Sequence, residues 1–203
     1  MEKIDYKKQL KHLYGPSPKK VEVVDVPQMN FLMVDGEGDP NTSKAFSDAI
    51  EALYPLSYTL KFMVKNGKEG VDYGVLPLEA LWWADDMSAF NTGNKDAWKW
   101  TLMIMQPEFI TLKMIEEARG EVQRKKKPVS LLLVRFEAFK EGKAAQIMHI
   151  GPFSDEGSTI EKVHSFIENN GSRRMGKHHE IYLSDIRRAA PGKWKTIVRQ
   201  PMS

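Results

Sequence analysis

The sequence predicts an α+β fold in which one plan of strands and a helix is used twice. Three observations carry this. The apolar patterns run in the same order in each part of the chain, strands then a helix then further strands. A local echo links the two parts. Trp100-Thr-Leu-Met-Ile-Met-Gln-Pro107 and Trp194-Lys-Thr-Ile-Val-Arg-Gln-Pro201 hold Trp and Gln-Pro at one separation, and Met33-Val-Asp-Gly36 and Met148-His-Ile-Gly151 both lead from a strand towards a helix start. Finally, 203 residues with 41% hydrophobic and 28% charged side chains suit a globular protein of one medium domain or two small ones.

Residues 1–18 are polar, are broken by Gly15-Pro16-Ser17-Pro18, and read as an N-terminal extension to a domain covering 19–203. Strands are expected at 21–26 and 30–34, separated by Pro27. After the loop Asp35-Gly-Glu-Gly-Asp-Pro40, one of Asn41, Thr42 or Ser43 caps a helix whose buried face carries Phe46, Ile50 and Leu53. Pro55 and Asn66-Gly67 leave its end open. Strands at 75–84 and 98–105 flank a polar loop at 85–96. A helix at 111–124 follows, with Leu112, Ile115, Ala118 and Val122 on one face, and residues 116–127 bridge the repeats, one at about 19–115 and the other at about 128–203. A hairpin is expected from 130–139 and 145–150 around Lys140-Glu-Gly-Lys143, then a helix at 154–170 carrying Ile160, Val163 and Ile167, then strands at 179–185 and 194–200.

Composition excludes several kinds of chemistry. There is no cysteine, so disulfides, thiolate catalysis, Cys-ligated zinc and iron–sulfur centres are out. Thirty Lys and Arg against 27 Asp and Glu leave +3. The clusters Arg124-Lys-Lys-Lys127 and Arg173-Arg174 with Lys177 sit in connections and read as solvated charge, so no direct nucleic-acid binding is expected. No apolar run reaches the roughly 20 residues of a membrane span. The first residues lack a signal peptide's apolar stretch, so a cytoplasmic location is expected. His12, His149, His164, His178 and His179 form no metal-binding spacing, and Gly36-Glu-Gly38 is too short for a dinucleotide loop; neither a metal nor a cofactor is expected. Oligomeric state is not legible.

Strand parity sorts the remaining candidates. In His179-Glu-Ile-Tyr-Leu-Ser-Asp185, Ile181 and Leu183 share one face, expected to lie under helices, while Glu180, Tyr182 and Ser184 share the other, with His178. Aligning Glu79 with Glu180 sets Leu81 and Trp83 on that second face, and Ala80 and Trp82 against helices. Four tryptophans between 82 and 100 can wall a cleft for a large flat ligand. A carboxylate inside such a wall is poorly solvated, so the pKa of Glu180 is expected to rise towards the general-base range.

The segments Glu180-Ile-Tyr-Leu-Ser-Asp-Ile-Arg-Arg188, Thr196-Ile-Val-Arg-Gln-Pro201, Leu81-Trp-Trp83, Trp98-Lys-Trp100 and Met105-Gln-Pro-Glu-Phe109 together resemble the GyrI-like small-molecule-binding family, in its stand-alone bacterial branch, from about Lys19 onward. One departure is Ile186, where relatives often have proline. The resemblance implies two pseudo-symmetric strand–helix–strand–strand repeats with a ligand groove between them. It implies multidrug binding of aromatic, often cationic, molecules beside a glutamate. For some stand-alone relatives it implies a detoxifying hydrolysis of cyclopropane-bearing DNA-alkylating compounds. The family glutamate carries over to Glu180 and the aromatic after it to Tyr182. Trp83 and Trp100 join them as ligand-binding residues by parity and repeat. The leading expectation is a hydrolase in which Glu180 activates water and Tyr182 hydrogen-bonds the developing oxyanion. The alternative is a domain that binds, sequesters or senses aromatics without turnover; inhibition of DNA gyrase ranks last.

Overall fold

The computed structural model describes every residue except Met1, Glu69 and Met87, and every remaining side chain except those of Glu2, Ser88 and Asn91. Of the expected loop at 85–96, Met87 therefore lies outside the described residues. In chain order the elements are β1 (Glu2–Ile4), α1 (Tyr6–Gln9), α2 (Lys11–Tyr14), β2 (Glu22–Glu37), α3 (Lys44–Asn66), β3 (Val71–Tyr73), β4 (Leu78–Trp83), α4 (Ser88–Thr92), β5 (Lys99–Gln106), α5 (Leu112–Lys125), β6 (Arg135–Ile150), α6 (Gly157–Asn169), β7 (His178–Tyr182) and β8 (Lys195–Pro201). The fold is α+β, and with the short β3 and α4 set aside, the series β2–α3–β4–β5 and β6–α6–β7–β8 give the same strand–helix–strand–strand order twice.

The chain divides into two compact units, and their boundaries do not follow the repeats. The first holds residues 1–6, 29–76 and 82–139; the second holds 7–28, 77–81 and 140–203. β2, β4 and β6 each run from one unit into the other.

In the first unit β2 and β5 pair antiparallel from Asn30↔Gln106 to Glu37↔Lys99, while β1 and β3 pair parallel. Ser43 caps α3, its hydroxyl accepting from the Phe46 N–H. That helix runs straight through Pro55 to Asn66, because Ala52, Leu53, Leu56 and Leu60 are all buried and their packing outweighs the one ladder bond a proline removes. Thr111 caps α5, which buries Ile115, Ala118 and Val122 and packs on α3. Gly36 faces Trp100 directly across β2 and β5, and the indole occupies the space a β-carbon at 36 would need.

In the second unit β8 pairs antiparallel with β6 on one side and β7 on the other, and β7 also borders β4. α6 covers one face of this sheet through Val163 and Ile167, which pack with Ala145, Ile147, Val198 and Met202.

Three sequence expectations need correction. β2 is one strand of 16 residues, with Pro27 inside it. β6 is likewise continuous for 16 residues, with no hairpin at Lys140-Glu-Gly-Lys143. Gly142 takes a left-handed φ of 77°, as in a bulge, and the Glu141 side chain is buried rather than sitting at a turn tip. Finally, residues 1–18 are built into the fold. β1 belongs to a sheet, Leu13 and Tyr14 are core residues, and the Met148 N–H donates to the Ser17 carbonyl.

Candidate functional site

β7 alternates strictly in burial. His179 and Ile181 are buried, and His178, Glu180 and Tyr182 are partly exposed, as the strand's period of two requires. Its register on β8 then decides which layer each set meets. Glu180 stands opposite Val198, and Tyr182 opposite Thr196. Val198 lies in the core beneath α6, so Glu180 and Tyr182 share the α6 face of the sheet. Parity grouped these residues as the structure does, but the expected sides are reversed. The helix covers the Glu180 face, and His179 and Ile181 take the other.

The Glu180 carboxylate is held on both oxygens. His178 Nε2 lies 3.2 Å from Oε1, and the Tyr182 hydroxyl donates to Oε2 at 2.7 Å. Only 14% of the side chain is exposed. A third neighbour comes from the turn that starts α6. Glu156 is 4% exposed, makes no capping bond to its own helix, and sets its carboxyl beside Glu180 and the Thr196 hydroxyl. Around this group stand three rings. Phe153, 41% exposed, meets Tyr182 edge-on at 5.7 Å and Trp194 at 5.1 Å between centroids. The Trp194 indole N–H donates to the Ala189 carbonyl at 2.8 Å, which fixes its plane.

The two carboxyls are pushed apart in acidity. Burial raises Glu180, but the hydrogen bond and charge of His178 and the Tyr182 hydroxyl outweigh it and leave its pKa lowered. Glu156 is raised to about 9, by burial first and by the Glu180 charge second. The general-base shift expected at Glu180 therefore appears on its neighbour, because Glu180 has two donors and Glu156 has a like charge beside it. At neutral pH the pair carries one proton, held on Glu156.

A family model for the GyrI-like small molecule binding domain matches residues 19–201. The chain belongs to that family. Three solved structures are similar over nearly its whole length. One is an uncharacterized conserved protein from Listeria innocua, 44% identical over 98% of this chain and 100% of that one, with a TM-score of 0.90. Two are hydrolases from Listeria innocua. The first is 42% identical over 98% of this chain and 100% of its own, at a TM-score of 0.86. The second is 43% identical over 100% of both chains, at 0.88. No curated protein sequence matches. As a GyrI-like domain the chain binds small molecules. Among the described residues no helix is long and apolar enough to cross a membrane, and no group of three His, Asp or Glu could hold a metal ion.

The opposite face of β7 in this GyrI-like domain carries a buried ionic chain. Tyr14 donates to Glu79 Oε1 at 2.7 Å, and Glu79 Oε2 lies 3.0 Å from His179 Nε2. His179 Nδ1 is 2.9 Å from Glu141 Oε1, and Arg199 Nη1 donates to Glu141 Oε2 at 3.1 Å. Arg199 also donates to the Gln146 side chain and the Leu13 carbonyl, and Gln146 donates to the His12 carbonyl. Burial favours a neutral His179, but Glu141 and Glu79 outweigh it and raise the imidazole to about 9. Burial likewise opposes the Glu141 charge, yet His179 and Arg199 hold it at about 2. Glu79 is thus a partner of His179, on the face away from Glu180.

Of the four residues singled out by sequence, Glu180 and Tyr182 meet in one hydrogen bond. Trp83 and Trp100 belong to the first unit. Trp83 is partly buried at the end of β4. Trp100 is 0% exposed, with Gly36 under its ring and Phe46 edge-on at 5.1 Å. The Tyr182 hydroxyl, expected to serve an oxyanion, is engaged by Glu180. Phe153, Glu156 and Thr196 do not stand out as site residues in the sequence, and Trp194 stands out only as a repeat marker. Trp194 and Thr196 lay within the echoed segment. Phe153 and Glu156 had no motif, since they come to Glu180 only through the turn before α6.

Proposed function

We propose that this protein hydrolyses the cyclopropane ring of DNA-alkylating aromatic compounds, a protective reaction of the cytoplasm, with Glu180 activating the attacking water. The observation that carries this reading is one carboxylate, mostly buried and held by His178 and Tyr182, set beside the half-exposed rings of Phe153, Tyr182 and Trp194. Flat aromatic bodies stack on such rings. The water oxygen bonds to a ring carbon as the strained carbon–carbon bond breaks. The electron pair moves into the conjugated carbonyl, and the water proton passes to Glu180. The likeness to two Listeria innocua hydrolases at 42% and 43% identity supports turnover. A Glu180→Gln variant is expected to lose about 100-fold or more in turnover of such a compound, followed by chromatography. Undiminished turnover in that variant removes Glu180 from the mechanism.

A second reading has an observation of its own. The lowered pKa of Glu180 makes it a weak base but a dependable anion, suited to a cationic aromatic bound by charge and by cation–π attraction. Incubation separates the readings. Hydrated product in excess over protein means catalysis, and intact ligand recovered one-to-one means sequestration or sensing.

A further inference from the structure

We propose that Glu156 is a catalytic residue of this site, holding the attacking water through its Oε1 while Glu180 removes that water's proton. The inference rests on the hydrolytic reading and adds a residue to it. Glu156 Oε1 is buried and, among the described residues, has no hydrogen-bond partner. A buried oxygen left unmet is costly to the fold, so a group placed there to be met by water or ligand has a physical reason to persist. Its surroundings agree. A carboxylate offers about four lone-pair positions. On Glu180 one is taken by His178 and one by Tyr182, which leaves two to meet a water or the neighbouring Glu156 carboxyl.

A water in this place has two hydrogens and two acceptors. One hydrogen points to Glu180 and the other to Glu156 Oε1, so an oxygen lone pair is free for the ring carbon. The balance is complete. The oxygen–carbon bond forms, and the ring carbon–carbon bond breaks with its pair going to the carbonyl oxygen. One water proton moves to Glu180, and the other stays on the product hydroxyl. The oxyanion then takes a proton from solvent and Glu180 returns one. Glu156 stays uncharged throughout, which spares the pair the repulsion of two carboxylates in one buried place. The charged and titratable groups facing the pair are His178 and Tyr182 on β7, with the charge of His179 reaching Glu180 through the sheet; Thr196 on β8 adds a neutral hydroxyl.

The test compares Glu156→Gln and Glu156→Leu with the wild type, using a cyclopropane-bearing aromatic alkylator as probe. Gln keeps an acceptor oxygen but gives up the carboxyl, so its kcat should fall several-fold less than that of the Leu variant. Leu removes the acceptor, and kcat should fall about tenfold to 100-fold with KM and thermal unfolding preserved. Carbon-13 spectra of protein labelled at the glutamate carboxyl should show one resonance titrating near 9 in the wild type and none in Glu156→Gln. Full turnover in the Leu variant, a loss in the Gln variant as deep as in the Leu variant, or a KM change alone overturns the role. If the wild type binds the probe and returns it intact, hydrolysis itself fails and the water-holding role with it. The carboxyl titration then still decides whether the proton is shared.

Discussion

Glu156 loses stability by being where it is. Its pKa is raised from 4.5 to about 9, so the native state binds a proton the unfolded chain releases, and between those values stability declines as pH rises. Replacing it with Gln should therefore stabilise the protein, with a gain that grows from pH 4.5 towards pH 9 in urea titrations. A gain that does not change with pH would show that the shift is absent. Two tryptophans at the same scale should behave differently. Trp194→Ala is expected to weaken aromatic-ligand binding by about tenfold and leave the fold intact, because its ring is partly exposed beside Phe153. Trp100→Ala should cost about 3–5 kcal/mol of stability in denaturant melts, since it empties the space over Gly36.

At the scale of elements, register does much of the work. The pairing of Gly36 with Trp100 admits no β-carbon, so Gly36→Ala should destabilise by about 1–3 kcal/mol in the same melts. Periodicity makes α5, α6, β5, β7 and β8 legible to within a few residues, because each presents one buried stripe or face. The long strands β2 and β6 are not legible. Pro27 and Lys140-Glu-Gly-Lys143 carry turn chemistry, and nothing local reveals that Glu141 is drawn inward by His179 and Arg199, residues distant in sequence. The same limit explains the reversed faces of β7. Alternation tells which side chains travel together, whereas the layer they meet depends on pairing with Val198.

For the molecule as a whole, the buried ionic chain sets the acid and alkaline limits. His179 is raised from 6.5 to about 9, so its contribution is complete below 6.5 and is lost as pH climbs through 9. Glu141 is lowered from 4.5 to about 2, so its contribution is complete above 4.5 and is lost as pH falls through 2. Stability followed by chemical melts should peak between about pH 4.5 and 6.5 and decline on either side. A flat profile from pH 3 to 9 would mean that the pairs contribute nothing net. That Glu180 and Tyr182 belong together is legible, because one short motif holds both at strand spacing. The ionic chain is not, because its members are scattered from Tyr14 to Arg199 and carry no spacing rule.

That chain also reaches back to the start of the polypeptide, where Tyr14 and the carbonyls of His12 and Leu13 serve Glu79, Gln146 and Arg199. The match to the family model begins at residue 19, yet a guanidinium, an amide and a carboxylate deep in the second unit each take a partner from what comes before it. A polypeptide trimmed to residues 19–201 would take one hydrogen-bond partner from each of these three buried polar groups, and should be recovered mainly as aggregate.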